Sequence, residues 1–237
     1  MSDPDFEKVV EEGRALQRLF PDFGLVAVGG TAAALHCGHR VSLDVDEVTA
    51  QLQERFEQVV AALDRWEGWT TNRCNPPVLI LGERHGVELG LRQQRRAIPL
   101  KTTTVSGLTV PAPAEMLRVK AFLLAERRVT RDYIDVAALA ERLGDSAAMN
   151  ALSFLNLLYP SREPQSAITR LAEACESEPV DLAAIPLATY KGLKRPFTGW
   201  PFVAATCQRL ARALLKLELS DALPRSLEPD FGHESVS

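Results

Sequence analysis

A chain of 237 residues, 46% apolar and 24% charged, can bury a substantial core and has room for one or two domains. Its formal net charge of −4 excludes a protein that holds nucleic acid with its whole surface and leaves only local basic patches for that role. No apolar run approaches the roughly 20 residues of a membrane span. The acidic start Met-Ser-Asp-Pro-Asp-Phe-Glu-Lys lacks a signal peptide's apolar core, so a cytoplasmic protein without a membrane partner is expected.

In chain order, an amphipathic helix is expected over residues 6–20, ended by the Pro21-Asp22 break. An apolar strand over 25–28 then runs into Gly29 and Gly30, followed by a helix over 31–37 and a second strand that carries Asp44 and Asp46 as far as Val48. A further helix is expected over 51–66, then β-like runs over 78–81, 87–91 and 108–110, each bounded by Pro, Gly or charged turn residues. Together these give a mixed sheet of about four or five strands with flanking helices, an α/β (α+β) first half. From Pro113 the pattern turns helical, over 113–127, 132–143, 147–158, 164–178 and 201–219. The expected domains are residues 1–112 and a helical 113–219, with a disordered tail over 220–237. Cys37, Cys74, Cys175 and Cys207 lie far apart without metal-ligand spacing and read as buried thiols.

The chemistry concentrates in residues 28–46. Gly29 and Gly30 let backbone N–H groups approach a phosphate closely, and the helix that starts at Thr31 turns its dipole to the same anion. Asp44 and Asp46, two apart in a strand, share one face while Leu43 and Val45 are expected to pack beneath. Two neighbouring carboxylates repel unless a cation lies between them, and Mg²⁺ (or Mn²⁺) fits, because it binds a few carboxylate oxygens and leaves positions for water and substrate phosphates. This pattern reads as a metal-dependent nucleotidyl-transfer site using a nucleoside triphosphate. A third carboxylate, to help deprotonate the attacking hydroxyl, is expected at Glu88, alone in the apolar alternation Val87-Glu88-Leu89.

Arg92, Arg95 and Arg96 form a basic patch suited to a nucleic-acid acceptor, and Lys194 and Arg195 mark a second basic loop over 187–200. Helical spacing also gathers Lys120, Arg127 and Arg131 near Asp132 and Asp135, where a cation could hold the triphosphate and the acids orient it. Read as ordinary helix charges, the same residues form only weak pairs.

The order Gly-Gly-Thr, then His39-Arg40-Val-Ser42-Leu-Asp44-Val-Asp46, then Lys120 and Arg131-Asp132-x-x-Asp135 resembles the AbiEii/AbiGii toxin group of nucleotidyltransferases, which includes the MenT toxins. The resemblance spans roughly residues 25 to 143. It implies a DNA polymerase β-like fold with a helical C-terminal half, and transfer of a nucleotide, with pyrophosphate released, often to the 3′ end of tRNA so that translation stops. It further implies a possible cognate antitoxin. By position, Gly30 and Thr31 would cradle phosphate, Arg40 and Ser42 would order the site, Asp44 and Asp46 would hold the metal, and Lys120 would contact nucleotide phosphates. Asp132 or Asp135 would supply the late acid. The chain departs from the family at Glu47-Val48, where an apolar residue and Phe are common, and an extra charge beside the metal is expected there. A small-molecule acceptor such as an antibiotic, or a non-catalytic relative that binds nucleotide or a partner protein, are the alternative readings.

Overall fold

A computed structural model describes residues 3–161 and 164–227, so residues 228–237 of the expected tail lie outside it. The chain divides into two units, the residues up to Met116 together with Ala188–Thr198, and Leu117–Leu187 together with the chain from Gly199 on. The division falls inside a helix four residues beyond the expected cut, and the basic loop returns to the first unit.

In the first unit, α1 (Pro4–Leu19) starts where the Asp3 carboxylate accepts from the N–H groups of Asp5 and Phe6, with proline at the helix start. It buries Val9, Val10 and Leu16. There follow β1 (Val26–Val28), α2 (Gly29–Cys37), β2 (Asp44–Thr49), α3 (Phe56–Leu63), β3 (Trp69–Asn75), β4 (Leu79–Arg84), β5 (Val87–Gln93), β6 (Thr102–Val105) and β7 (Leu108–Pro111). The main sheet has the order β1-β2-β5-β4-β3, with β2 and β5 parallel and the other neighbours antiparallel. The remaining two strands, β6 and β7, form a separate hairpin.

Two strands escape the sequence pattern. The edge strand β3 is exposed along almost its whole length, and β6 is Thr-Thr-Thr-Val with three exposed threonines, so neither carries an apolar alternation. The helix expected from residue 51 starts at Phe56. Before it, the Gln51 N–H donates to Thr49 Oγ1 and the Gln53 N–H to Gln93 Oε1, which holds this stretch in turns.

Register places β2. Antiparallel pairing sets Val28 opposite Asp46, and parallel pairing sets Asp44 opposite Glu88 and Asp46 opposite Gly90. Along β2, Val45, Glu47 and Thr49 are buried while Asp44 and Asp46 are partly open on the other face. Leu43 precedes the pleat and is 54% exposed, so it does not pack beneath the carboxylates as expected.

Glu47 corrects a second expectation, because its place in the alternation turns it away from Asp46. Its side chain is fully buried. Gln17 beside it exchanges hydrogen bonds with the Thr109 backbone, and among the described residues the Glu47 oxygens keep no well-formed partner. Burial pushes this carboxyl up to about 8, against an ordinary 4.5, so it is neutral at pH 7 and adds no charge beside the site. Between these values the folded chain holds a proton that the unfolded chain has released. This group therefore lowers stability as pH rises from 4.5 to about 8, by roughly 3 kcal/mol at pH 7. Glu47→Gln is expected to remove that slope. Urea midpoints of variant and wild type at pH 5.5 and pH 8 check it, and an unchanged slope would contradict it.

The second unit is helical: most of α4 (Pro113–Arg127), then α5 (Thr130–Leu143), α6 (Asp145–Ser153), α7 (Leu155–Leu158), α8 (Ala167–Cys175) and α9 (Trp200–Leu219). The start of α5 is capped from a distance, by Asp181 accepting from both the N–H and the hydroxyl of Thr130 at 2.7 Å. The single helix expected over 147–158 breaks at Phe154 into α6 and α7. Cys175 and Cys207 are buried as expected, whereas Cys74 is exposed because β3 is an open edge.

Candidate active site

Gly29 ends β1 with φ +73°, a left-handed conformation that glycine adopts without strain, and opens α2. Val28 supplies no side-chain cap, so the first-turn N–H groups of α2 have no acceptor within the helix. Gly30 is fixed by its neighbours, since a Cβ there would lie 2.5 Å from Arg40 Nη2 and 2.6 Å from Ser42 Oγ. Bare backbone is what lets residues 40–42 close against the helix start. Ser42 Oγ donates to Asp44 Oδ1 at 2.9 Å, and the buried Thr31 hydroxyl donates to the Asp44 carbonyl at 2.5 Å. Thr31 therefore orders the strand through its hydroxyl, which leaves only its N–H for a phosphate.

Asp46 projects between two bare positions. A Cβ on Gly29 would stand 3.8 Å from its Oδ2, and one on Gly90 would fall 2.2 Å from its Oδ1. Arg92 Nε donates to that same Oδ1 at 2.9 Å. Arg92, expected on an acceptor-binding surface, thus borders the carboxylate pair itself. Glu88 stands opposite Asp44 in the ladder and is exposed, but among the described residues no three acids, histidines or cysteines gather as a metal-binding group. His36 and His39 are likewise taken up by the fold, His36 Nε2 lying 2.7 Å from the Pro111 carbonyl and the His39 ring packing edge-on against Phe197.

Sequence reasoning missed the work of Ala188–Thr198. The Val41 N–H donates to the Lys191 carbonyl and the Lys194 N–H to the His39 carbonyl, both at 2.8 Å, which pins residues 39–41. The Lys191 ammonium pairs with Asp3 at 3.1 Å and Asp5 at 2.5 Å. No periodicity marks such a contact between residues 150 positions apart. Lys194 and Arg195 remain exposed on this loop, as does Arg95 after β5. Arg96 does not share that role. Its guanidinium lies 2.6 Å from Glu115 in a close ionic contact, with both side chains buried, and donates to the carbonyls of Ile98 and Pro99. An arginine already paired inside the protein offers no charge to a nucleic acid.

In the second unit the structure brings Lys120, Asp132 and Asp135 together, and buries all three. The Lys120 ammonium lies 2.7 Å from Asp135 and 3.2 Å from Asp132, with Arg127 bridging both Asp132 oxygens at 2.9 and 3.0 Å. Lys120 is 2% exposed and both acids 0%. Two cations and two anions neutralise one another here, so the expected direct contact of Lys120 with phosphate is not available in this arrangement. Arg131 points outward and is exposed.

No family model matches the chain. Over 183 residues, 68% of the chain, it is 26% identical to MmpL11, a heme uptake protein of Mycobacterium tuberculosis, and spans 18% of that protein's length. Among the described residues no helix is long and apolar enough to cross a membrane. In three dimensions the chain is similar to JHP933 from Helicobacter pylori, with a TM-score of 0.54 and 17% identity over 93% of this chain and 97% of that one. It is also similar to MenT4, a nucleotidyltransferase toxin of Mycobacterium tuberculosis, with a TM-score of 0.52 and 17% identity over 97% of this chain and 92% of that one. This is a nucleotidyltransferase fold. The resemblance read from the sequence extends to three dimensions.

On the nucleotidyltransferase fold, the donors at Asp44 and Asp46 suit a hard divalent cation: two carboxylates on one face, and no nitrogen or sulfur among them. The bare positions at Gly29 and Gly90 leave room for the Asp46 carboxylate itself. Gly90→Ala puts a methyl group where Asp46 Oδ1 lies, and is expected to lower turnover roughly 10²-fold by displacing that oxygen. Circular dichroism should be unchanged, and a variant with wild-type kcat would show that Asp46 need not hold this position.

Proposed function

We propose that the chain is a metal-dependent nucleotidyltransferase of the MenT-like toxin type, which moves a nucleoside monophosphate from a nucleoside triphosphate to the 3′ end of tRNA and so blocks translation. The observation that carries this reading is the carboxylate pair of β2 set beside the uncapped start of α2, with residues 40–42 closed against Gly30. Asp44 and Asp46 would hold Mg²⁺ or Mn²⁺, which supplies charge neutralisation along the triphosphate. The first-turn N–H groups of α2 offer donors to phosphate oxygens, the buried Arg40 orders the site by closing against Gly30, and Ser42 fixes the Asp44 carboxylate. The acceptor hydroxyl oxygen bonds to the α-phosphorus, the bond from that phosphorus to the bridging oxygen breaks, and pyrophosphate leaves with the electron pair. Glu88, opposite Asp44, takes the hydroxyl proton. Arg95, Lys194 and Arg195 provide exposed positive charge for a tRNA backbone. A cognate antitoxin is the expected protein partner.

Induced expression tests the physiological part. Wild type should stop methionine incorporation and leave extra nucleotides on sequenced tRNA 3′ ends, whereas Asp44→Ala should do neither. Arrest with unmodified tRNA would point to another acceptor.

A further inference from the structure

Asp46 already has a cation. Arg92 lies two positions beyond Gly90 on the same face of β5 and reaches back to Asp46, and among the described residues this carboxylate is its one partner. The contact uses Nε, on a side chain that is 43% exposed. A guanidinium on a metal ligand opposes the metal twice, by sharing the ligand oxygen and by like charge. It also matches phosphate oxygens in geometry and charge.

We propose that Arg92 is a resident counter-cation that is exchanged during substrate binding. A divalent cation and Arg92 compete for Asp46 Oδ1, and the phosphate chain receives the displaced guanidinium. Metal alone then binds weakly, because Arg92 loses its partner and gains none. Metal arriving with a triphosphate binds well, because each positive charge gains an anion. Arg92 thus couples metal affinity to the presence of nucleotide and keeps the site closed to free metal. The inference rests on the reading of Asp44 and Asp46 as a metal site.

The test uses Mn²⁺ alone, followed through the electron paramagnetic resonance signal of the free ion, and the Mn²⁺ complex of inorganic tripolyphosphate, followed by calorimetry. Wild type, Arg92→Gln, Arg92→Lys and Asp46→Asn are compared. Arg92→Gln is expected to bind Mn²⁺ alone about tenfold more tightly than wild type, and the tripolyphosphate complex about tenfold more weakly. Arg92→Lys keeps the charge without the fork and should fall between them. Unchanged Mn²⁺ affinity in Arg92→Gln, or affinities that move in the same direction with both probes, would overturn the exchange. If Asp46→Asn matches wild type with both probes, the metal site itself falls. If Asp46→Asn loses Mn²⁺ while Arg92→Gln matches wild type, the metal site stands and the role of Arg92 is removed.

Discussion

Asp44→Asn is expected to lower nucleotidyl transfer roughly 10³-fold and to leave the thermal midpoint within a few degrees of wild type. This is the largest effect on activity that the site predicts. The substitution keeps the size of the side chain and an oxygen for the Ser42 hydroxyl, but removes the charge that a divalent cation needs. The fold is spared because Asp44 is only partly buried, and because losing its charge relieves repulsion from Asp46 on the same face. Initial transfer rates, with circular dichroism melting as the control, check the result. Near-normal transfer would remove Asp44 from the chemistry, and a collapsed melt would make its role structural.

Lys120→Met has the opposite signature, with stability lost first. Two fully buried carboxylates depend on this ammonium, and removing it leaves Asp135 without its 2.7 Å ionic partner and Asp132 with Arg127. Breaking one member of a buried charge network costs about 3–5 kcal/mol, because the remaining charges stay desolvated. For a chain of this size that lowers the melting temperature by roughly 10 °C. Arg127→Met, at a side chain 38% exposed, should cost well under half as much. If Lys120→Met melts like wild type but fails to transfer nucleotide, Lys120 acts on the substrate and the bracing role is wrong.

The functional strand was legible because its signals are local. The strand, the glycine turn and two acids two residues apart all fall between Val26 and Asp46, and the pleat alone puts Asp44 and Asp46 on one face. The same pleat, applied one residue further, turns Glu47 into the core, which a motif comparison alone did not reveal. Register was not legible. Which strand lies beside β2, and hence that Gly90 and Arg92 crowd Asp46, depends on a parallel crossover that no local pattern encodes. Burial of charge was equally hidden. Arg95 and Arg96 are adjacent and identical in type, yet one is exposed and the other is held by Glu115 of α4 and by the carbonyls of Ile98 and Pro99, contacts that only the fold supplies. Lys120 with its acids reads as a solvated helix face until the fold is seen to bury it against Asp132 and Asp135 of α5.

The proposed function stands or falls on whether the carboxylate pair of β2 carries nucleotidyl transfer. Purified protein incubated with Mg²⁺, total tRNA and each α-³²P-labelled nucleoside triphosphate in turn, then resolved on a denaturing gel, tests it most directly. Label is expected on tRNA from at least one nucleotide with wild type, and none with Asp44→Asn. Label that appears equally with the variant would contradict it, and label that fails to reach tRNA from any of the four nucleotides with wild type would contradict the proposed tRNA acceptor.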